Sequence, residues 1–344
     1  MTRRFIEPMS DLHYPCPSPA GKTKHVLVYF IPGNPGFVDY YDPFLVTLRN
    51  LIDGSEGTHL GISFHIAGRN LFGFDDQDHE PFSTSSPPHD LESQIINTAK
   101  HLSSLKVLRS SENEAETPYD AITLIGHSVG SYITMELFHR HHTGSDEVIS
   151  ELPLHSAILL FPTVTHIAKS PSGKKLLLLK KVPLVEQYSN QIAKGILWCI
   201  PDMILRGVLR NVLGMSEHGA DVTYRFLRSR DAIWQALHMG VDEMETIAEE
   251  KWAESMWEAL RGDEEGKHDD RVPKFFFYFA KTDHWVDEDE RDQFIARRKV
   301  LAGRTRVEIC EKGIPHSFPI HHGEVMAEKV KMWIDEIATT IAGK

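Results

Sequence analysis

The chain of 344 residues carries a net charge of −12 at pH 7, and its 41% hydrophobic and 25% charged residues are typical of a globular protein with a large core. The negative charge argues against nucleic acid as a partner. No apolar stretch reaches the roughly 18 residues of a membrane-spanning helix. The three cysteines, Cys16, Cys199 and Cys310, are far apart in the sequence, which predicts reduced thiols in a cytosolic setting.

Short apolar runs rich in β-forming residues predict a series of strands. In chain order these strands lie at 25–31, 61–67, 121–125, 156–161, 272–280 and 305–310. Amphipathic segments between them, such as 40–52 and 89–108, predict helices. Strands that alternate with helices predict an α/β fold with a mostly parallel central sheet and helices on both faces.

The alternation stops between residues 162 and 270, where no strand is predicted. So long an interruption is typical of a helical cap inserted over the carboxyl edge of the sheet, where the active sites of such folds lie. We therefore predict a first core segment at 1–162, a helical cap or lid at 163–270, and a second core segment at 271–344.

A nucleophile is indicated where the predicted strand at 121–125 meets the next helix. The sequence Gly126-His127-Ser128-Val129-Gly130 has the Gly-x-Ser-x-Gly spacing of a nucleophile elbow. In such an elbow the glycines allow a sharp turn that exposes the serine hydroxyl. Ser128 is therefore the predicted nucleophile.

A second turn rich in Gly and Pro, at 32–36, follows the strand at 25–31. It matches the loop that completes an oxyanion hole in a serine hydrolase. Asn34 is the predicted donor in this loop, since Pro35 has no N–H, and the backbone N–H of Val129 is the predicted second donor. A phosphate site is less favoured because no Gly-Lys-Ser/Thr follows the turn, and no cofactor is predicted.

Candidates for the other members of a serine triad lie after later strands. Asp283 and His316 each follow a predicted strand, and the carboxyl ends of parallel strands share one edge of the sheet. Both residues therefore fall on the rim that carries Ser128. The order Ser, Asp, His is that of the α/β-hydrolases, and it predicts His316 as the base and Asp283 as the acid that orients it. Asp287 and Asp289 are the alternative acids.

Other acidic and histidine groups are interpreted as solvated surface. The acidic loop at 75–80 lacks the Gly and the distant Glu of a calcium-binding EF-hand loop. The histidines at 139–142 and 321–322 have no carboxylate or thiolate partners at metal-binding spacing. No metal site is therefore predicted.

The predicted cap contains a segment in which basic and apolar residues are mixed. Residues 169–210 hold eight Lys and Arg against Glu186 and Asp202, and they include apolar runs at 176–179 and 196–205. Basic residues beside apolar runs are typical of a surface that lies on a lipid interface. The alternative is a cap that packs its apolar helices onto the active site, with solvated lysines, and the two interpretations can hold for different faces.

The sequence resembles the lipid droplet-associated hydrolase family over about residues 25–340. The motifs that carry the resemblance are Ile31-Pro32-Gly33-Asn34-Pro35-Gly36 followed by Tyr40-Tyr41 and Phe44, Gly126-His127-Ser128-Val129-Gly130, Asp283 with Trp285-Val286, and His316-Ser317-Phe318. The resemblance implies an α/β-hydrolase fold, association with lipid droplets and the endoplasmic reticulum, and serine lipase or sterol-esterase activity. It also implies that Ser128, Asp283 and His316 occupy the family's triad positions.

The leading hypothesis is a serine esterase or lipase that hydrolyses a neutral lipid ester, either a sterol ester or an acylglycerol. The enzyme would act at the lipid droplet surface, facing the cytosol and the endoplasmic reticulum membrane. One alternative is a weakly active or non-catalytic protein that organises droplets. Another is a soluble small-ester hydrolase or thioesterase. The hypotheses differ in whether Ser128 is an activated nucleophile and whether the protein binds a lipid surface.

Overall fold

A computed structural model contains a seven-stranded sheet. The residues that it describes are 11–17, 24–54, 61–107, 116–180, 194–197, 199–252, 256–257, 273–299 and 305–342. The strands are β1 (Asp11–Tyr14), β2 (Lys24–Ile31), β3 (Ile62–Arg69), β4 (Ala121–His127), β5 (Leu154–Leu160), β6 (Lys274–Ala280) and β7 (Thr305–Cys310). Their order in the sheet is β1-β3-β2-β4-β5-β6-β7, and only the β1–β3 pair is antiparallel. The predicted mostly parallel sheet is confirmed.

Helices connect the strands and cover the sheet. They are α1 (Asp42–Asp53), α2 (Leu91–Ser104), α3 (Val129–Thr143), α4 (Glu147–Ser150), α5 (Pro171–Lys180), α6 (Asp202–Gly207), α7 (Glu217–Arg228), α8 (Ala232–Thr246), α9 (Glu288–Lys299) and α10 (Gly323–Ala342). Shorter helical turns occur at Val38–Tyr41, Ile167–Lys169, Val208–Val212 and Phe318–Ile320.

Local sequence signals determine where several of these helices begin and end. Asp90 caps α2, because its side chain accepts a hydrogen bond from the N–H of Ser93 at 2.8 Å. Ser216 caps α7 in the same way. At the other end of α3, Gly144 takes the left-handed conformation, with φ of 64°, that commonly ends a helix.

The core lies on both faces of the sheet, and β6 shows how the sequence produces it. Phe275, Phe277 and Phe279 join the apolar cluster with α2, α3 and α9, whereas Phe276 and Tyr278 join the cluster with α1 and α10. Successive side chains of a strand point to opposite faces. A strand that is covered on both faces is therefore a continuous apolar run.

Between β5 and β6 the described residues form helices and no strand. We call the described residues 194–197 and 199–228 the cap hairpin. It has a small core of its own, in which Leu205, Leu209 and Ala220 are buried apart from the two clusters on the sheet. No described helix is long and apolar enough to cross a membrane. The residues of the predicted cap that lie outside the described part of the chain are 181–193, Trp198, 253–255 and 258–270.

The cap hairpin rests on the turn that follows the 32–36 loop. Arg225 in α7 forms an ion pair with the buried Asp39, with 2.5 Å between the guanidinium nitrogen and the carboxylate oxygen. Tyr40 and Thr223 hydrogen-bond through their hydroxyl groups at 2.9 Å. Helix α7 is therefore anchored next to the loop predicted to supply an oxyanion donor.

Candidate active site

Ser128 lies at the turn between β4 and α3 in a backbone conformation that is rare for residues other than glycine. Its φ of 54° and ψ of −124° are typical of the strained turn at a nucleophile elbow. The adjacent glycines allow close packing here. A Cβ at Gly126 would lie 2.4 Å from the carbonyl oxygen of Gly130, and a Cβ at Gly130 would lie 2.2 Å from the carbonyl oxygen of Ile31. A larger residue at position 126 would force the start of α3 away from β4, and one at position 130 would force it away from the end of β2.

The structure brings Ser128, His316 and Asp283 together at the rim of the sheet. His316 Nε2 lies 2.9 Å from Ser128 Oγ, and His316 Nδ1 lies 2.7 Å from Asp283 Oδ2. The other carboxylate oxygen accepts the N–H of Trp285 at 2.8 Å, which holds Asp283 in its loop. Because a carboxylate accepts hydrogen bonds, Nδ1 of the neutral imidazole carries the proton and Nε2 can accept one from the serine hydroxyl.

Asp287, one of the alternative acids, lies at the start of α9. Its Oδ1 accepts hydrogen bonds from the N–H groups of Asp289 at 3.2 Å and Glu290 at 3.3 Å. This is the arrangement of a helix N-cap. No contact joins His316 to Asp287 or Asp289 among the residues that the structure describes, so the geometry favours Asp283 as the orienting acid.

The predicted oxyanion donors lie on the two turns beside Ser128. Asn34 is held by the cap, because its side-chain amide donates to the carbonyl oxygen of Ala236 at 2.9 Å and to Glu243 Oε1 at 3.1 Å, both in α8. Val129 is the first residue of α3, where helix geometry leaves the N–H without an acceptor inside the helix. Neither backbone N–H donates to another group in the described part of the chain. Both therefore remain the candidate donors to an oxyanion.

Glu243 is a buried carboxyl that sequence reasoning does not single out. Its side chain contacts Asn34, and only 4% of the residue is exposed. Burial raises the pKa of Glu243 to about 8, although the hydrogen bond from Asn34 opposes this shift. The carboxyl is therefore mainly protonated at neutral pH. Helical periodicity does not predict that Glu243 is buried, because it identifies the apolar face of a helix and not the polar side chains that lie within it.

His127 and Tyr41 are two further side chains beside the site that sequence reasoning misses. Both are buried, and His127 Nδ1 lies 2.7 Å from the Tyr41 hydroxyl. His127 lies in the predicted elbow, and Tyr41 lies in the predicted helix after the 32–36 loop. Their separation along the chain gives no signal that the two side chains meet.

One cluster of possible metal ligands occurs among the described residues. Ligand atoms of Asp76, His79 and Asp231 lie within 4.8 Å of one another. Both carboxylates already have partners, since Asp76 accepts hydrogen bonds from the Ser229 hydroxyl at 2.8 Å and Asp231 forms an ion pair with Arg230 at 2.8 Å. These contacts satisfy the carboxylates without a cation.

The site is closed in this conformation. Ser128, His316 and Asp283 are each less than a tenth exposed. Helix α5 of the cap is tied to the loop after Asp283, because the N–H of Ser172 donates to the carbonyl oxygen of His284 at 2.8 Å. Direct access from solvent to Ser128 is therefore restricted in this conformation.

Solved structures that resemble this chain are α/β-hydrolases. A peroxisomal alpha-beta-hydrolase from Saccharomyces cerevisiae aligns with a TM-score of 0.56 and 13% identity, over 93% of this chain and 79% of that one. A haloalkane dehalogenase variant from Bradyrhizobium elkanii aligns with a TM-score of 0.53 and 12% identity, over 97% and 95% of the two chains. At such identities the similarity shows the fold and not the reaction. The chain therefore has the α/β-hydrolase fold that the sequence predicted.

The chain belongs to the lipid-droplet associated hydrolase family, whose model matches residues 24–319. The lipid droplet-associated hydrolase of Rattus norvegicus is 27% identical over 322 residues, which cover 91% of this chain and 86% of that relative. The human protein of that name is 26% identical over 314 residues, covering 90% and 84%. The Dictyostelium discoideum protein is 24% identical over 310 residues, covering 90% and 88%. The family predicted from the motifs is confirmed, and with the fold it makes the protein a hydrolase.

Proposed function

We propose that the protein is a serine ester hydrolase that cleaves a neutral lipid ester, a sterol ester or an acylglycerol, at the surface of a lipid droplet. The observation that carries the proposal is the hydrogen-bonded series from Asp283 through His316 to Ser128, with separations of 2.7 and 2.9 Å. A base that is oriented by an acid and that contacts a serine hydroxyl is the arrangement that activates a serine nucleophile.

In the proposed reaction His316 accepts the hydroxyl proton while Ser128 Oγ attacks the ester carbonyl carbon. The N–H groups of Asn34 and Val129 stabilise the resulting oxyanion. His316 then gives the proton to the departing alcohol, which leaves an acyl ester on Ser128. A water molecule that loses its proton to His316 attacks this ester, and the acid departs as the serine regains its proton. Asp283 holds the ring and stabilises the imidazolium.

The cap hairpin supports action at a lipid surface. Its exposed apolar side chains, here called the outer surface, are Ile196, Met203, Ile204, Val208, Val212 and Leu213. Their exposed fractions range from 39% for Val208 to 83% for Met203. Concentrated exposure of this kind is typical of sites that contact a membrane or a partner. The nearby Arg206 and Arg210 face Asp221 and Glu217, so we attribute the lipid affinity mainly to the apolar side chains.

Four of the six residues of the outer surface lie within the predicted segment 169–210, and Val212 and Leu213 lie just beyond it. In α5, Leu176 and Leu177 pack against the main core, and Leu178 is exposed. The predicted segment 169–210 thus divides into a part that covers the core and a part that carries the outer surface. We place the lipid contact at the outer surface, which continues to Leu213.

We propose that the protein lies on the cytosolic side of the droplet and of the endoplasmic reticulum membrane. A protein that lies on the surface by apolar side chains reaches esters within the monolayer without crossing it. The family name, with its reference to lipid droplets, supports the location.

Labelling with a fluorophosphonate probe tests the nucleophile directly. The probe reacts with an activated serine and requires no knowledge of the substrate. We expect the wild-type protein to be labelled and Ser128→Ala, shown to be folded by circular dichroism, to be unlabelled. Labelling is measured with and without a lipid emulsion, because a closed cap can exclude the probe. No labelling under either condition would favour the non-catalytic droplet protein.

Substrate class is tested by comparing emulsified sterol esters and triacylglycerols with short-chain nitrophenyl esters. We expect Ser128-dependent hydrolysis of the emulsified esters and binding of the protein to the emulsion. Hydrolysis of short-chain esters alone, by a protein that stays in solution, would support the soluble esterase instead.

A further inference from the structure

His127 links the backbones of the two loops that flank Ser128. Its Nε2 lies 2.9 Å from the backbone carbonyl oxygen of His316, and its Nδ1 lies 2.7 Å from the Tyr41 hydroxyl. The same hydroxyl accepts the backbone N–H of Gly33 at 3.1 Å. A continuous chain of hydrogen bonds therefore runs from the 32–36 loop, through two side chains, to the loop of the base.

The direction of each hydrogen bond in this chain follows from the chemistry of its ends. The carbonyl oxygen of His316 can only accept, so His127 Nε2 carries a proton. Burial, assisted by the neighbouring His316, lowers the pKa of His127 well below its ordinary value, so the ring is neutral and Nδ1 accepts. Tyr41 therefore donates to Nδ1 and accepts from Gly33. Each bond has one possible direction, which selects a single tautomer of His127.

The backbone of His316 needs a support of this kind. Both of its ring nitrogens are engaged, one with Asp283 and the other with Ser128. They orient the ring only if the main chain that carries it is fixed. His127 is covalently joined to Ser128, so its hydrogen bond ties the backbone of the base to the backbone of the nucleophile. Phe161 and Phe318 lie against the His127 ring, at 6.2 and 5.1 Å between ring centroids.

We propose that His127 and Tyr41 are positioning residues, which hold the His316 backbone and the 32–36 loop at the correct distances from Ser128. Neither side chain takes part in the bond changes, since both are engaged with groups other than the serine hydroxyl. Their contribution is to maintain the 2.9 Å separation between base and nucleophile. This inference rests on the proposed function, because it assumes that His316 activates Ser128.

Two variants of equal side-chain length separate positioning from packing. His127→Gln keeps an N–H near the position of Nε2, whereas His127→Met fills similar space without a donor. We expect fluorophosphonate labelling of the Met variant to be slower by roughly tenfold to a hundredfold, since small displacements of catalytic groups have effects of that size. The Gln variant should stay within a few-fold of the wild type, and both should unfold at similar temperatures. Equal labelling rates in the two variants would overturn the proposal.

Tyr41→Phe removes only the hydroxyl and keeps the ring. Without it, His127 Nδ1 loses its donor and the N–H of Gly33 loses its acceptor, so the 32–36 loop is no longer linked to the His127 ring and a severalfold slower labelling is expected. A rate equal to that of the wild type would contradict the proposed role of Tyr41.

A spectroscopic measurement keeps the inference testable even if the enzyme proposal fails. The proton shared by His316 Nδ1 and Asp283 gives a downfield NMR resonance when the ring is held in place. We expect this resonance in the wild type and in His127→Gln, and its loss or displacement in His127→Met. If the wild type resists labelling, the proposed function fails. If the resonance is the same in all three proteins, the positioning inference fails.

Discussion

The rim of the sheet and the cap hairpin meet beside the active site, but different kinds of interaction stabilise the two regions. The rim residues follow β4, β6 and β7, and the apolar side chains of β4 and β6 are buried in two extensive clusters. The cap hairpin has only a small core, and its links to the rim include the Arg225–Asp39 ion pair and the Tyr40–Thr223 hydrogen bond. A region with few buried apolar contacts opens at lower free energy than a continuous core. The chemical groups are thus on the more rigid of the two regions.

The largest effect on activity is expected from a substitution in the triad at the rim of the sheet. Asp283→Asn keeps the shape of the side chain but no longer holds the His316 tautomer that can accept a proton from Ser128. We expect a loss of about 10⁴-fold in kcat on a soluble ester.

The matched control for this prediction is Asp287→Asn, which alters the start of α9 and the ion pair with the exposed Lys174, and it is expected to stay within a few-fold of the wild type. A comparable loss of kcat in both variants would show that Asp283 is not the only orienting acid.

A second prediction concerns Glu243, which joins α8 of the cap to Asn34 of the rim. Its pKa is raised from 4.5 to about 8. The stability that the neutral carboxyl contributes is complete below pH 4.5 and is lost as the pH rises towards 8, because the unfolded chain releases this proton first. Glu243→Gln resembles the protonated form, so we expect it to raise the free energy of unfolding by on the order of 3 kcal/mol at pH 7.

Urea unfolding at a series of pH values measures this difference. The gain from Glu243→Gln should vanish at acid pH, where the wild-type carboxyl is protonated in both the folded and the unfolded chain. A gain that does not vary with pH would show that the charge of Glu243 is not its cause.

A third prediction concerns lipid binding by the exposed apolar side chains of the outer surface. Replacing Met203, Val212 and Leu213 together by Ser removes three of its exposed apolar side chains. Each contributes about 1 kcal/mol when partly inserted into lipid, so binding to a lipid emulsion should weaken by roughly a hundredfold. Flotation with the emulsion measures the change. Met332→Ser, at a residue 62% exposed on α10, is the control and should bind like the wild type.

The smallest effect is expected at the polar link between the two regions. Arg225→Met removes the guanidinium partner of the buried Asp39, which should lower the free energy of unfolding by about 2 kcal/mol and make the cap hairpin more sensitive to protease. The same substitution at Arg210, whose partner Glu217 is exposed, should change stability by less than about 0.5 kcal/mol. Equal sensitivity to protease in the two variants would mean that the Asp39 pair does not secure the cap.

The sequence predicted the sheet and the placement of Ser128, Asp283 and His316 because both depend on short-range patterns. Apolar runs identify buried strands, and residues just beyond the ends of parallel strands collect at one edge. It did not distinguish Asp283 from Asp287, since both lie in the same loop. That choice depends on loop geometry, which places one carboxylate against His316 and uses the other to cap α9.

By itself, then, the sequence determined the class of fold, the family and the residues available for a triad, because strand periodicity and the glycines of the elbow act locally. Only the tertiary structure decided which side chains meet across the molecule. The contact of Glu243 with Asn34 and that of His127 with Tyr41 each join segments far apart in the chain. The tertiary structure also decided the location of the outer surface, because packing partly buries Leu176 and Leu177 and leaves Met203 and Val212 exposed. Such contacts depend on how helices dock, and no local pattern encodes that.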